Sequence, residues 1–144
     1  MLELLAPAGN LDAVIAAVQN GADAVYMGFG DGFNARRSAD NFTRESFAKA
    51  VRYCHIRGCK VYVTLNTLVG DREMDVAAAL AQQASDAGAD AILVQDLGLA
   101  RVLRAALPDI PLHASTQMSI HNLAGVEAAA EMGITRAVLA RELS

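Results

Sequence analysis

The hydrophobic residues of this chain fall into two alternating kinds of segment. Six short runs are mostly apolar and turn polar towards their ends, which is typical of strands in a parallel sheet. Between them lie alanine-rich stretches whose apolar residues recur at spacings of three and four, which predicts helices. The predicted strands cover residues 2–7, 23–28, 60–66, 91–96, 111–117 and 136–142.

Residues that favour helix ends frame the predicted helices. Asn10, Thr43 and Asp71 are suitable N-caps because their short polar side chains can accept a bond from a free helix N–H. Four helix exits, "QNGADAV", "IRGCKV", "DAGADAI" and "EMGITRAV", carry a glycine followed at once by a strand. Repeated strand–helix–strand units predict parallel pairing. The predicted helices cover residues 11–19, 43–57, 71–87, 97–107 and 122–132.

Two α/β folds accommodate this order of elements: an open doubly wound sheet and a (β/α)8 barrel. The chain has 144 residues and six predicted strands, whereas a barrel needs eight strands and about 250 residues. Length alone therefore favours the open sheet.

Polar residues at alternate strand positions favour the barrel. Alternate side chains share one face, and a sheet covered by helices on both faces should be apolar on both. An unsatisfied buried polar group costs roughly 1–3 kcal/mol, so several together indicate a wet interior. We therefore predict that they line a barrel near its active-site end. These residues are His113, Ser115 and Gln117 on the fifth predicted strand and Tyr62, Thr64 and Asn66 on the third.

Composition narrows the class of protein. The chain is 53% hydrophobic and 19% charged, which is typical of a globular domain. It shows neither a membrane-length apolar run nor a signal-peptide pattern, so we expect a cytoplasmic protein with no membrane partner. A net charge of −4 argues against an extended nucleic-acid surface on this stretch. Cys54 and Cys59 have neither a disulfide-framework nor a zinc-site pattern, and we expect both in the core.

Several motifs in order resemble the N-terminal part of the collagenase-like peptidase family U32. They are "ELLAPAGN", "NGADAVYMG", "FNARRSADNFT", "VYVTLNT", "ILVQDLG", "HASTQMS" and "VLARELS". The resemblance covers essentially the whole chain and implies a TIM-type (β/α)8 barrel. "VLARELS" would then be the sixth strand. We expect residues 1–144 to form a single domain, the first three-quarters of such a barrel, with the last two strands missing.

The resemblance implies two kinds of activity. The family carries a protease label, but other members resemble hydroxylases that modify an RNA base or the ubiquinone ring, with prephenate and an iron–sulfur cluster implicated. "VTLNT", "HASTQ" and "VLAREL" look most like the ribosomal-RNA branch. We therefore expect RNA as the partner of the intact protein. Cys54 and Cys59 do not match the family's cluster ligands, so no cofactor or metal is expected within this stretch.

Candidate ligand-binding residues follow from position and chemistry. Arg36, in the long loop over residues 28–43, matches the family's "AR" pair and can hold a carboxylate or phosphate, whereas Arg37 is more variable. Barrel active sites lie at the carboxyl ends of strands. Asp96 could equally be a helix cap. The strand-end candidates are Asn66, Gln95, Asp96, Gln117 and Arg141.

The catalytic candidates are His113, Ser115 and Glu142. His113 and Ser115 lie two apart on one predicted strand, within side-chain reach, but the chain has neither a G-x-S-x-G nor an H-E-x-x-H motif. Arg141 and Glu142 are adjacent, so only one can enter a barrel, and Arg141 is favoured. A peptidase acting on peptides, through Ser115 or through a metal held by His113, Asp96 and Glu142, remains the alternative.

A third alternative is that this stretch alone is a non-catalytic scaffold or an assembly module. Two missing strands would leave unpaired sheet edges, which invite pairing with another chain. We therefore predict that the stretch is inactive by itself and self-associates.

Overall fold

Strands and helices alternate along the whole described chain. The computed structural model describes residues 2–35 and 41–143, and the α/β prediction is confirmed there. The strands are β1 (Leu5–Pro7), β2 (Ala24–Gly28), β3 (Lys60–Leu65), β4 (Ala91–Val94), β5 (Leu112–Ala114) and β6 (Ile134–Ala137). The helices are α1 (Leu11–Gln19), α2 (Arg44–His55), α3 (Met74–Asp86), α4 (Leu97–Ala106) and α5 (Leu123–Glu131). Two short 3-10 helices cover Asp71–Glu73 and Thr116–Met118.

Four of these helices begin at a residue whose side chain accepts a hydrogen bond from the backbone N–H three positions on. This bond satisfies one of the free N–H groups of the first turn. Helix α3 differs from the prediction, because Asp71 does not cap it. The Gly70 N–H instead donates to the Glu73 carboxylate at 2.9 Å, a 3-10 turn follows, and α3 begins at Met74. The four capping residues are Asn10, Thr43, Asp96 and Asn122.

The six strands form one parallel sheet in consecutive order, β1-β2-β3-β4-β5-β6. A doubly wound sheet reverses its strand order at a switch point, so that alternative is wrong. Consecutive order with a helix after each strand is the arrangement of a TIM-type barrel. Glu3, before β1, also hydrogen-bonds Arg136 on β6. The sheet therefore curls until side chains from its two edges meet, and it represents six strands of such a barrel.

The two faces of the sheet have different surroundings. The outer face packs on the helices and forms the large core, which includes Val25, Val63 and Ile92 with Phe47 and Leu103 from the helices. The inner face forms a separate small cluster to which no described helix residue belongs. The predicted interior, lined by strand side chains rather than by helices, is thus confirmed. The inner cluster comprises Ala24, Tyr62, Ala91 and Leu93, with Leu5, Tyr26 and Val138 packed against it.

A repeated Gly-Ala-Asp-Ala segment starts two strands in the same way. Gly21 and Gly88 end their helices with φ of +88° and +98°, a conformation that favours glycine. The aspartate then accepts a hydrogen bond from the neighbouring strand. Asp23 accepts from the Leu4 N–H and Asp90 from the Val61 N–H, both at 2.7 Å. These carboxylates fix the amino ends of adjacent strands, opposite the end where the candidate site lies.

The last two strands differ from the sequence-based boundaries. β5 ends at Ala114 because the chain turns there into the 3-10 helix, so the alternation predicted through Gln117 breaks after Ser115. β6 covers 134–137 instead of 136–142. Arg141 and Glu142 therefore lie in an exposed turn after β6, and the argument that strand alternation sends only one of them inward is wrong.

Candidate functional site

A cavity of about 490 Å³ opens towards the carboxyl ends of the strands. Its deeper walls are side chains from the inner face of β1 to β4: Leu5, Tyr26, Thr64 and Leu93. Its rim combines the segments that follow β2, β3, β5 and β6. This volume lies within the range of small-molecule sites, roughly 300–1,000 Å³. The rim residues are Ala35, Asn66, Ser115, Thr116, Gln117, Ser119, Val138, Arg141 and Glu142.

Deeper in the interior lies a cluster that we call the polar floor: Glu3, Tyr62, His113 and Arg136. Arg136 donates to both Glu3 carboxylate oxygens, and the Tyr62 hydroxyl donates to the same carboxylate at 3.1 Å. The His113 ring packs edge-on against Tyr62, with ring centroids 4.9 Å apart. Glu3 and Arg136 neutralise each other, so the polar floor presents no unpaired charge to the cavity.

The surroundings shift the pKa values of the polar floor in opposite directions. Hydrogen bonds from Arg136 hold the Glu3 pKa below its usual value despite desolvation, and the Glu3 carboxylate raises the pKa of Arg136. Burial raises the pKa of Tyr62. Burial, followed by the positive charge of Arg136, lowers the pKa of His113 to about 4. His113 is therefore neutral at neutral pH, and within the described residues no hydrogen bond joins it to Ser115.

Asn66 connects three segments at the cavity rim. Its Oδ1 accepts from the backbone N–H of Ala35 at 3.1 Å, and its Nδ2 donates to Ser115 Oγ at 3.2 Å. Ser115 Oγ also accepts from the Gln117 N–H at 3.3 Å. The loop after β2, the end of β3 and the turn after β5 are thus held together by one amide.

The long loop after β2 is fastened at both ends. Phe29 and Phe42 pair as an isolated bridge, and both are buried in the core. Asn34 Nδ2 donates to Asn41 Oδ1 at 3.1 Å directly over Gly28. A Cβ atom on Gly28 would lie 2.1 Å from that Asn41 oxygen, so only glycine allows the two amides to pack on the strand end.

The predicted ligand residues occupy different positions. Asn66, Gln117 and Arg141 line the cavity, although Gln117 is exposed on the 3-10 helix and does not point inward from a strand. Asp96 caps α4 by accepting from the Leu99 N–H at 2.8 Å, as its alternative role predicted. Gln95 is half-buried between β4 and α4 and does not line the cavity. Arg36 and Arg37 lie outside the described residues.

The catalytic candidates are only partly brought together. Ser115 and Glu142 line the cavity, whereas His113 lies in the polar floor beneath. Among residues 2–35 and 41–143, no group of three or more His, Cys, Asp and Glu side chains could hold a metal ion. The arrangement of His113, Asp96 and Glu142 that the metal-dependent peptidase alternative requires is therefore not present.

Arg136 is an interior residue that the sequence analysis did not identify. Plain alternation would place Ile134 and Arg136 on the same face. The pairing of β5 with β6 contains an irregularity: Leu112 pairs with Ile134, but the next residue, His113, pairs with Arg136. This bulge leaves Thr135 unpaired and lets Ile134 join the outer core while Arg136 turns inward. A bulge leaves no clear signal in a hydrophobic pattern.

Of the remaining titratable candidates, Cys54, Cys59 and His55 lie at the opposite end of the sheet. Cys54 and Cys59 are buried in the core as predicted, and burial raises the pKa of Cys54 to about 12 and that of Cys59 in the same direction. His55 ends α2 and contacts Asp90 at 2.8 Å, and His121 is exposed.

A wider groove of about 700 Å³ lies outside the sheet between α4 and α5. It is lined by Leu97, Gly98, Arg101, Arg104, Ala105, Glu131 and Met132.

The fold and the cavity define a barrel-type α/β protein with a candidate ligand site at the carboxyl ends of its strands. Comparison with known families is more specific, because the model of peptidase family U32 matches residues 9–144. The chain belongs to peptidase family U32. No helix among the described residues is both long enough and apolar enough to cross a membrane.

Relatives of this chain carry two kinds of name. It is 42% identical to the 23S rRNA 5-hydroxycytidine C2501 synthase of Escherichia coli and 41% identical to tRNA hydroxylation protein P1 of Bacillus subtilis. It is also 35% identical to a protein named Collagenase from Porphyromonas gingivalis. Each alignment covers 99% of this chain but only 21%, 33% and 34% of those proteins. The chain thus spans a fifth to a third of their length.

Solved structures support the fold. The U32 peptidase Mk0906 superposes with a TM-score of 0.79 at 17% identity, covering 96% of this chain and 58% of that one. Phosphonopyruvate hydrolase superposes with a TM-score of 0.62 at 19% identity, covering 96% of this chain and 54% of the other. At such low identities these similarities establish the architecture alone.

Proposed function

We propose that this chain is part of an enzyme that hydroxylates a base in RNA. The observation that carries the proposal is its 42% and 41% identity, over 99% of the chain, to relatives named for hydroxylation of ribosomal and transfer RNA. The cavity, the residues of its rim and the polar floor are compatible with that role.

The cavity suits a single unstacked base better than a nucleic-acid backbone. Enzymes that modify a base take it out of the stack and read it with stacking and hydrogen-bonding groups. Here Tyr26, Leu5 and Leu93 supply an aromatic ring and apolar walls, and Ser115 and Gln117 supply polar groups. A net charge of −4 also fits a stretch that contacts the base more than the phosphates.

The iron–sulfur cluster implied for the intact protein does not fit the cysteines of this chain. A cluster is held by thiolates, and burial opposes ionisation of Cys54 and Cys59 by raising the pKa of each. The pair also lies at the opposite end of the sheet from the cavity. We therefore propose that any cluster is held outside the described residues.

Prephenate, the implied co-reactant, is a dicarboxylate and needs cationic partners. Arg136 is neutralised by Glu3, so it does not serve that role. Arg141 lines the rim and is the described residue that we propose for one carboxylate. Arg36 remains the proposed partner from the loop, on sequence grounds alone.

The second candidate is a peptidase, favoured by the relative named Collagenase. Its nucleophile would be Ser115, activated by a neighbouring base. Within the described residues, His113 does not hydrogen-bond Ser115 and instead packs on Tyr62. The hydroxylase proposal is therefore the stronger of the two.

Deletion of the gene tests the proposed function directly. Nucleosides from ribosomal and transfer RNA of the deletion strain should lack one species that is a single oxygen atom heavier than its parent, and the intact gene should restore it. The proposal is wrong if every nucleoside is unchanged in the deletion strain. Cleavage of gelatin by the purified intact protein, lost in Ser115→Ala, would favour the peptidase instead.

A further inference from the structure

The Ser115 hydroxyl oxygen accepts two hydrogen bonds at the cavity rim. One comes from Asn66 Nδ2 at 3.2 Å and the other from the Gln117 backbone N–H at 3.3 Å. A serine hydroxyl has two lone pairs and one proton. Both lone pairs are therefore in use, and only the proton remains to make a further contact.

The loop after β2 fixes the direction of the Asn66 contact. The Ala35 backbone N–H can only donate, and it donates to Asn66 Oδ1 at 3.1 Å. The amide oxygen of Asn66 must therefore face Ala35, and its NH₂ group must face Ser115. An amide NH₂ cannot accept the serine proton. Asn66 therefore requires the Ser115 oxygen to act as an acceptor here and leaves the Ser115 proton for a different partner.

The Ser115 proton has no protein acceptor within the described part of the chain. Ser115 is 4% exposed and lines the cavity, so its proton is directed to whatever the cavity holds. A buried polar hydrogen without a partner costs roughly 1–3 kcal/mol, which a ligand acceptor would offset.

We propose that Ser115 is a fixed hydrogen-bond donor to a carbonyl oxygen of a nucleobase, and that Asn66 is the residue that positions it. The choice of a base rests on the proposed function. It agrees with the apolar walls Leu5 and Leu93. The same geometry disfavours Ser115 as a nucleophile, because a nucleophile needs a free lone pair and a base to take its proton.

The direction of the hydrogen bond between Asn66 and residue 115 can be tested without an activity assay. In Ser115→Cys, burial should raise the thiol pKa, and the two N–H donors should oppose that rise by stabilising the thiolate. Adding Asn66→Asp replaces the donor with a carboxylate, and the thiol pKa should then rise by at least about one unit above that of Ser115→Cys alone. The native cysteines do not interfere, because burial raises the pKa of both.

Alkylation rate against pH on the intact protein gives this titration. A thiol pKa that Asn66→Asp leaves unchanged or lowers would overturn the assigned direction of the hydrogen bond. If the aspartate variant does not fold, Asn66→Ala serves instead, since removal of one donor should raise the thiol pKa part of the way. If Asn66 only supported the fold, its substitution would not raise the thiol pKa.

Ligand binding tests the second half of the proposal. The intact protein should bind a short single-stranded oligouridine more tightly than an abasic strand of equal length. Ser115→Ala should weaken oligouridine binding about fivefold, Asn66→Asp should weaken it at least as much, and each should affect binding of the abasic strand less. Equal binding of both strands by the unmodified protein would overturn the nucleobase as the ligand, together with the proposed function. The thiol titration would still decide whether Asn66 donates to residue 115. Unchanged oligouridine binding in Ser115→Ala would overturn the donor role alone.

Discussion

Glu3 and Arg136 form an ion pair although 133 residues separate them in the chain. They belong to opposite edges of the sheet, one ahead of β1 and the other on β6. Adjacent strands lie about 4.8 Å apart, so five intervals of a flat sheet would separate the edges by about 24 Å. Their contact is possible only because the sheet curls around an interior.

Breaking this pair should lower the stability of the curled sheet. The two side chains are 25% and 39% exposed, so solvent screens their attraction, and we expect a coupling free energy of about 1 kcal/mol. A double-mutant cycle with Glu3→Gln and Arg136→Met, followed by urea unfolding, measures it. Additive effects of the two substitutions would mean that the edges do not interact in solution.

His113 should make the stability of the protein depend on pH. Its pKa is lowered to about 4 in the folded protein, against about 6.5 when unfolded. The unfolded chain therefore binds the proton first, and stability should fall as pH drops from about 6.5 to about 4. We expect His113 to account for a loss of about 2 kcal/mol between pH 7 and pH 5.

Urea unfolding of His113→Gln at both pH values checks this dependence. The variant should lose most of the pH effect, whereas His121→Gln, which changes an exposed histidine, should retain it. The same pH dependence in His113→Gln as in the unmodified protein would refute the assignment.

Asp90 should contribute to stability through the amino end of β3. Its carboxylate accepts from the buried Val61 N–H at 2.7 Å and contacts His55. Asp90→Ala leaves that N–H without a partner, and we expect a loss of roughly 1–3 kcal/mol in unfolding free energy. Asp109→Ala, at an exposed position, is the control. Equal stability of the two variants would contradict this role.

Gly28→Ala should damage the candidate site more than the fold. Its new Cβ would lie 2.1 Å from Asn41 Oδ1 and 2.4 Å from Asn34 Nδ2, so the loop must move from the strand end. We expect faster tryptic cleavage within residues 28–44 and weaker oligouridine binding by the intact protein.

Gly125→Ala is the matched control for Gly28→Ala. Gly125 lies inside α5, where alanine is the better helix former, so this variant should be cleaved like the unmodified protein. Equal cleavage of both alanine variants would show that Gly28 does not hold the loop.

Self-association of residues 1–144 remains a prediction. β1 and β6 are the two edges of the sheet, and their unpaired backbone groups can pair with another chain. Light scattering after size-exclusion chromatography should give a mass above the 15.1 kDa of one chain. A single 15.1 kDa species at all concentrations would contradict it.

Much of the fold follows from local chemistry that a sequence displays. Caps such as Asn10 and Thr43 and the glycine exits of the helices act within a few residues, so their sequence patterns identified the elements. The alternation of Tyr62 and Thr64 similarly revealed an inner face, because the strand there is regular.

The rest of the site depends on contacts that no local pattern displays. Arg136 turns inward only because of the bulge at Thr135, and its partner Glu3 lies at the other end of the chain. The end of β5 depends on the Ser115 side chain, which caps a 3-10 helix instead of continuing a strand. The direction of the hydrogen bond from Asn66 to Ser115 depends in turn on the N–H of Ala35, which lies in a loop far away in sequence.

The most direct test of this account is to map where RNA touches the intact protein. Photo-crosslinking with RNA that contains 4-thiouridine, followed by peptide mass spectrometry, should place the crosslinks on cavity residues such as Tyr26, Gln117 and Arg141. Crosslinks confined to the larger outer groove between α4 and α5, at Leu97 or Arg101, would contradict the claim that the interior of the curled sheet receives the base.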